Sequence, residues 1–271
     1  MCLARTRRKS LYAATAAVAL IAVTAVIALY TPGPNVVSAE VYSNEVGFIK
    51  VDTADDGAVL ASVPLILLGD SPHYGLNNLA GDGLGEIGAM LAADLNGSTT
   101  SSGADKVIGY DGVSYRLAWL YDDGVDVLWL EDAAPSTLTL QPGEAFWILS
   151  AAQQIVTFLG EVRTDETVEI VIDPGYNMIS WPYPTTLILQ LSSLHDDGAY
   201  GATVSTDADC ILAYDPVSGY TRHWLYDDGV NVAWLQGAWP SALLFEPGQG
   251  YWYFRQPAQG QFTWTCIKPT S

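Results

Sequence analysis

Residues 119–125 read WLYDDGV, and residues 224–230 read WLYDDGV again. At the same spacing of 105, Trp129 falls on Trp234, Pro135-Ser136 on Pro240-Ser241, Pro142-Gly143 on Pro247-Gly248, and Trp147 on Trp252. Upstream the spacing becomes 104, matching Tyr110-Asp111 with Tyr214-Asp215, and then 118, matching Gly57 and Pro64 with Gly175 and Pro182. The chain is therefore an internal duplication. What recurs is turn chemistry and large aromatic side chains, the residues that specify a fold.

Each copy is built from short runs rich in β-branched and aromatic residues, separated by Asp-Gly, Pro-Gly and Asp-Pro turns, which is strand-and-turn chemistry. The expected fold is mainly β: two similar tandem β-rich domains, each a small barrel or sandwich with one short helix, after an N-terminal signal helix. The first domain is placed at 41–162 and the second at 164–269, with a short charged joint. Asp-Gly inside WLYDDGV predicts a hairpin in each copy. Asp55-Asp56-Gly57 and Asp173-Pro174-Gly175 predict further hairpins between VGFIKVD and AVLASVP and between VEIVI and YNMISWP. The spacing of Ile87, Leu91 and Leu95, and of Leu187, Leu191 and Leu194, predicts a short helix in each domain. The first copy has 14 additional residues between Pro64 and Ala104. That places a longer loop at 65–103, with the Gly/Ser/Thr-rich tract 96–103 as surface loop.

The first 39 residues read differently. Arg5, Arg7, Arg8 and Lys9 precede an apolar run at 11–30, and Pro32-Gly33-Pro34 and Val37-Ser38-Ala39 follow it, the pattern of an export signal cleaved after Ala39. An uncleaved anchor through residues 11–30 is the alternative, since the run is long enough to span a bilayer. Either reading places the remainder outside the cytoplasm, secreted or in the cell envelope. Without residues 1–39 the chain keeps seven of its 11 Lys and Arg and all 30 Asp and Glu, a net charge of −23. Nucleic acid and anionic lipid are excluded as partners by such a surface.

Cys2 leaves with the signal, so Cys210 and Cys266 remain as the one pair, a candidate disulfide in an oxidising compartment with buried free thiols as the alternative. The YDDGV[DN]V loops bring Asp122, Asp123 and Asp126, and Asp227, Asp228 and Asn231, around a glycine. Hard oxygens in that pattern are candidate Ca²⁺ ligands, while a hairpin turn explains the same residues without metal. No other cofactor is implied. The recurring Trp119, Trp129 and Trp147, with Trp224, Trp234 and Trp252, are expected in the core. Trp239, beside Pro240 and matched by alanine in the first copy, is the candidate exposed sugar-binding aromatic. His73, His195 and His223 do not recur, and neither a nucleophile elbow, a phosphate loop nor a metal-binding His spacing is present. The functional expectation is a non-catalytic exported structural or interaction protein, whose partner is a protein or polysaccharide of the cell surface. A carbohydrate-binding module using exposed aromatics is the alternative.

The segments VYSNEVGFIKV, GYNMISWPY, ADCILAYD and FEPGQGYWY, with QPGEAFWI and FLGEV in the first copy, resemble a group of secreted bacterial proteins found mainly in Verrucomicrobia, Planctomycetes and Lentisphaerae. Those proteins start VYS-x-x-VGYV and carry GYN-x-I-x-x-P … PG-x-GYW modules. The resemblance implies an exported, β-rich cell-envelope or extracellular protein. It is weaker in the first copy, where Glu144-Ala145 stands in place of Gln-Gly.

Overall fold

In the computed structural model, which describes residues 45–53, 57–68 and 73–269, the WLYDDGV segments form the hairpins that the Asp-Gly turns demand. Strands β4 (Lys106–Tyr110), β5 (Tyr115–Asp122) and β6 (Val127–Glu131) make an antiparallel meander, with Asp122 opposite Val127 across the second turn. β7 (Ala134–Pro135), β8 (Ala145–Leu149) and β2 (Ala58–Ser62) complete a six-stranded sheet in the order β2-β8-β4-β5-β6-β7. The second half repeats that order with β11 (Gly175–Ser180), β18 (Gly250–Arg255), β13 (Cys210–Asp215), β14 (Gly219–Asp227), β15 (Val232–Gln236) and β16 (Trp239–Pro240). The protein is mainly β, and its two halves share one sheet topology. The signal expected at residues 1–39 lies outside the described residues, among which no helix is long and apolar enough to cross a membrane.

The first turn of each half is a corner, not a hairpin. β1 (Val46–Asp52) pairs with β9 (Ile155–Val162), and β10 (Thr167–Ile172) pairs with β19 (Phe262–Ile267), whereas β2 and β11 join the six-stranded sheets. Gly57 (φ +71°) and Gly175 (φ +97°) hold the left-handed backbone needed to change sheets, and at Gly57 a Cβ would collide with the Ser150 carbonyl. The alternation that suggested a hairpin serves two sheets facing one core. Val51 from β1 and Ala61 from β2 meet in the first core, together with Phe146, Phe158 and Trp129. Ile170, Ile179, Trp181, Trp234, Tyr251 and Trp264 do the same in the second.

The first half closes its core with α1 (Glu86–Asp94), whose Ile87 and Leu91 are fully buried. The second half departs from the expected helix. Leu187 belongs to β12 (Leu187–Ile188), which pairs with β17 (Leu244–Phe245), a 3-10 turn covers Leu189–Leu191, and α2 (Leu194–Asp197) is a single turn. Of the three apolar residues at helical spacing only Leu194 is fully buried and Leu191 is exposed, so they mark no continuous helical face and are too few to sustain a helix.

The tract 96–103 is also not the additional segment of the first half. Ser98 bridges Tyr121 as Ala202 bridges Tyr226, and Asn96 donates its N–H to Asp105 as Tyr200 does to Asp209. The tract therefore has a counterpart at 200–207. The additional length lies in the longer α1 and before it, where Asn78 closes a turn by accepting from the N–H groups of Gly81 and Asp82.

The two halves meet through equivalent groups. Ser62 N–H donates to the Gly248 carbonyl at 2.9 Å, and Ser180 N–H to the Gly143 carbonyl at 2.8 Å. Ala61 bridges Gln249, and Ile179 bridges Glu144. Each contact is the other's image under exchange of the halves, the signature of an approximate two-fold axis. On that axis the outer faces of the two six-stranded sheets bury Leu60, Ala145, Met178 and Trp252 against each other. The described residues form one compact unit.

Candidate functional site

The acidic turns are occupied by their own backbone. Asp123 Oδ1 accepts the N–H groups of Val125 and Asp126, and its other oxygen accepts the Tyr121 hydroxyl. Asp228 repeats this with Val230, Asn231 and Tyr226. Asp122 and Asp227 cap the N–H groups of Gly124 and Gly229 at 2.7 Å. These bonds to the charged form hold the Asp123 and Asp228 carboxyls below the usual carboxylate range, first through backbone N–H groups and then through the tyrosines. Asp126 and Asn231 supply backbone to the same turns. The expected Ca²⁺ loops are thus Asx turns whose oxygens point into the turn, and among the described residues no three His, Cys, Asp or Glu side chains are placed to hold a metal.

The cysteine expectation is corrected too. Cys210 on β13 packs with Ala208 and Trp224 on the outer face of the sheet, whereas Cys266 on β19 packs in the second core. They lie in different sheets as two buried free thiols, and burial raises the pKa of each.

Inside each half a side-chain amide, buried in the first and partly buried in the second, takes the place of a missing strand. Asn77 donates to the carbonyls of Trp129 and Ser136 and accepts from the Trp129 N–H. Gln190 makes the same three bonds to Trp234 and Ser241. Sequence comparison misses the pair, because the two residues differ in side-chain length and fall outside every constant spacing.

A second buried pair is Asp105 and Asp209. Asp105 accepts the N–H groups of Asn96 and Ala151. Asp209 accepts those of Tyr200 and Gln256, and adds the Tyr253 hydroxyl at 2.8 Å and the Arg255 guanidinium at 2.6 Å. His223 Nδ1 lies 2.7 Å from Ser241 Oγ, and burial lowers the pKa of its imidazole. Ser241 Oγ also accepts the Leu243 N–H, as Ser136 accepts that of Leu138 with no histidine beside it. The serine therefore belongs to the turn.

Most of the recurring tryptophans are buried, and so are two that do not recur. Trp119, Trp129, Trp224, Trp234 and Trp252 are buried, Trp147 is half-buried, and Trp181 and Trp264 fill the second core. Trp239 on β16 is 78% exposed, and no ring contact joins it to another aromatic side chain among the described residues.

The aromatic surface that is continuous lies elsewhere, at the seam between the halves. Trp147 meets Tyr214 edge-on at 4.8 Å between ring centroids, and Trp252 meets Tyr110 in the same way at 5.4 Å. Tyr115 and Tyr176 approach Trp252 at 6.0 and 5.9 Å, and Tyr220 lies tilted against Tyr214 at 5.2 Å. Beside the seam opens a cleft of about 460 Å³, within the range of small-ligand sites. Its walls are Tyr110, Asp111, Glu144 and Gly143 from the first half and Glu169, Asp173 and Asn177 from the second. Partial loss of water raises the pKa of Glu144, and the Gln141 N–H bond pulls it the other way. The Asp111 carboxyl is lowered by the N–H groups of Ser114 and Val113.

A comparison of the chain with protein-family models, curated protein sequences and solved structures finds no match. The seam and its cleft therefore stand on their own geometry.

Proposed function

We propose that the chain is a non-catalytic, exported structural or interaction protein of the cell envelope or extracellular space. The single observation that carries the reading is where the recurring polar side chains go. Asn77 and Gln190, Asp105 and Asp209, and Asp123 and Asp228 each hold backbone in both halves, so what was kept after duplication maintains a scaffold. The basic and apolar character of residues 5–30 and the small residues before Glu40 support export. The resemblance to secreted bacterial modules supports the same compartment.

The experiment is fractionation of a bacterial host expressing the full chain, with the N-terminus of the product sequenced. Recovery outside the cytoplasm, starting at Glu40 or retaining residues 11–30 in the membrane, is the expected result. Cytoplasmic, unprocessed protein would overturn the export reading. Turnover of a hydrolase substrate panel, abolished by one substitution at the cleft such as Glu144→Gln, would overturn the non-catalytic one.

A further inference from the structure

We propose that the tyrosine seam, with the cleft beside it, is a binding site for an uncharged polysaccharide chain. The inference rests on the reading of the chain as an interaction protein, and names the surface and the ligand. Tyr115 is 63% exposed, Tyr220 52% and Tyr176 50%, although Tyr115 and Tyr176 touch the buried Trp252 and Tyr220 touches the partly buried Tyr214. A seam needed for cohesion alone would be closed by Leu60, Ala145, Met178 and Trp252, which are already buried there. The tyrosines extend the apolar surface outward into water from both halves, and their rings offer apolar faces with a polar tip.

Ligand class follows from the cleft that Tyr110 joins to the seam. The cleft wall carries the carboxylates of Asp111, Glu144, Glu169 and Asp173 and the amide of Asn177, and no lysine or arginine. Such a wall accepts hydroxyl donors and repels anions, so acidic polysaccharide, nucleic acid and phosphate are unsuited. A compact cation would call for rings closing round it as a cage. Here Tyr115 and Tyr176 meet Trp252 edge-on, Tyr220 lies tilted against Tyr214, and all three remain at least half exposed, an arrangement that suits an extended chain with C–H faces and many hydroxyls.

The site is single in spite of the two-fold. Ile49 opposite Phe158 and Ile170 opposite Trp264 are equivalent, each lying against the glycine of the other half's Pro-Gly turn. By that register Phe48 and Lys50 take the places of Glu169 and Val171, and Ala58 the place of Tyr176. The mirror position keeps Asp215 in the place of Asp111 but has Gln249 for Glu144, Phe48 for Glu169 and no third ring, so one chain should bind at one place.

Affinity electrophoresis of the full chain through gels containing hydroxyethyl cellulose, xyloglucan, galactomannan, amylopectin or dextran tests the proposal, with heparin and polylysine as charged controls. Retardation by at least one neutral polysaccharide is expected, weakened about tenfold or more in Tyr115→Ala/Tyr220→Ala and unchanged in Trp239→Ala. Tyr176→Ala, a single change on an edge strand, gives the second reading if the double variant fails to fold. No retardation by any neutral polymer, retardation by polylysine alone, or binding indifferent to all three tyrosines would overturn it. None of these outcomes bears on export, which the fractionation reports separately.

Discussion

Replacing Arg255 by methionine keeps most of the buried stem and removes the charge that faces Asp209. In the folded chain Asp209 is fully buried and accepts four hydrogen bonds, of which the one from Arg255, at 2.6 Å, is the only one from a charged donor. Arg255 itself is 5% exposed, donates to the carbonyls of Gly198 and Gly260, and stacks over Phe262 at 4.7 Å. The substitution leaves a buried carboxylate without its counter-charge and two carbonyls without a donor, a loss of about 3–5 kcal/mol by the general behaviour of broken buried pairs. Asp209→Asn strands the buried Arg255 guanidinium in turn and sets an amide NH2, which cannot accept, before donors that the carboxylate serves, so it should also cost about 3–5 kcal/mol. Combined, the two changes should cost clearly less than their sum, because the second removes the charge that the first stranded. Urea unfolding followed by tryptophan fluorescence, with an unchanged m-value, measures all three. The first half supplies the counter-argument: Asp105 is just as buried, with Ser150 where the second half has Arg255. A cost below about 1 kcal/mol for Arg255→Met would show that backbone N–H groups suffice in both halves, and would refute the charge argument.

Asn77→Leu should destabilise by about 2–3 kcal/mol in the same assay, since three buried bonds to Trp129 and Ser136 go unmade; a change within error would mean that water replaces the amide. Asp111, Asp123, Asp215 and Asp228 are all held below the usual carboxylate range, so their stabilisation is complete above about pH 4 and is lost as pH falls through their lowered values. Changing the four to Asn should flatten the fall of melting temperature below that pH, and an unaltered acid limb would contradict the sign. Both thiols should react with a disulfide reagent only as fast as the protein unfolds, and a non-reducing mass lacking two hydrogens would restore the disulfide. Calcium should raise the melting temperature no more than monovalent salt at matched ionic strength, whereas a saturable Ca²⁺-specific rise lost in Asp228→Ala would reinstate the loop as a ligand site.

Much of the fold was legible because the turns are written locally. Asp-Gly between aromatic strands fixes the β5–β6 and β14–β15 hairpins, and recurrence at constant spacing marks Trp129 and Trp234 as core. The corners at Gly57 and Gly175 were misread, because a turn announces a change of direction and says nothing of which strand pairs next. The seam was half legible. Tyr110 and Tyr115 recur as Tyr214 and Tyr220 on either side of an aspartate turn, a signal that sequence reasoning passed over while attending to tryptophan. Sequence could not show that the two hairpins meet, since that depends on the two-fold packing of faces with no periodic mark of their own.

That packing also explains why the exposed features of the chain are unequal. β2 and β11 are edge strands of their sheets, and each has part of its free edge covered by the other half's Pro-Gly loop, through Ser62 to Gly248 and Ser180 to Gly143. Covered edges resist pairing with foreign strands, so the mutual capping guards against aggregation as well as joining the halves. Residues that take part in it are constrained in both copies at once, because each contact has an image. Positions beside it, where Tyr176 faces solvent and Ala58 is its counterpart, carry no such constraint. A duplicated fold is free to specialise at that boundary, and it is there that the acidic cleft and the three exposed tyrosines are found.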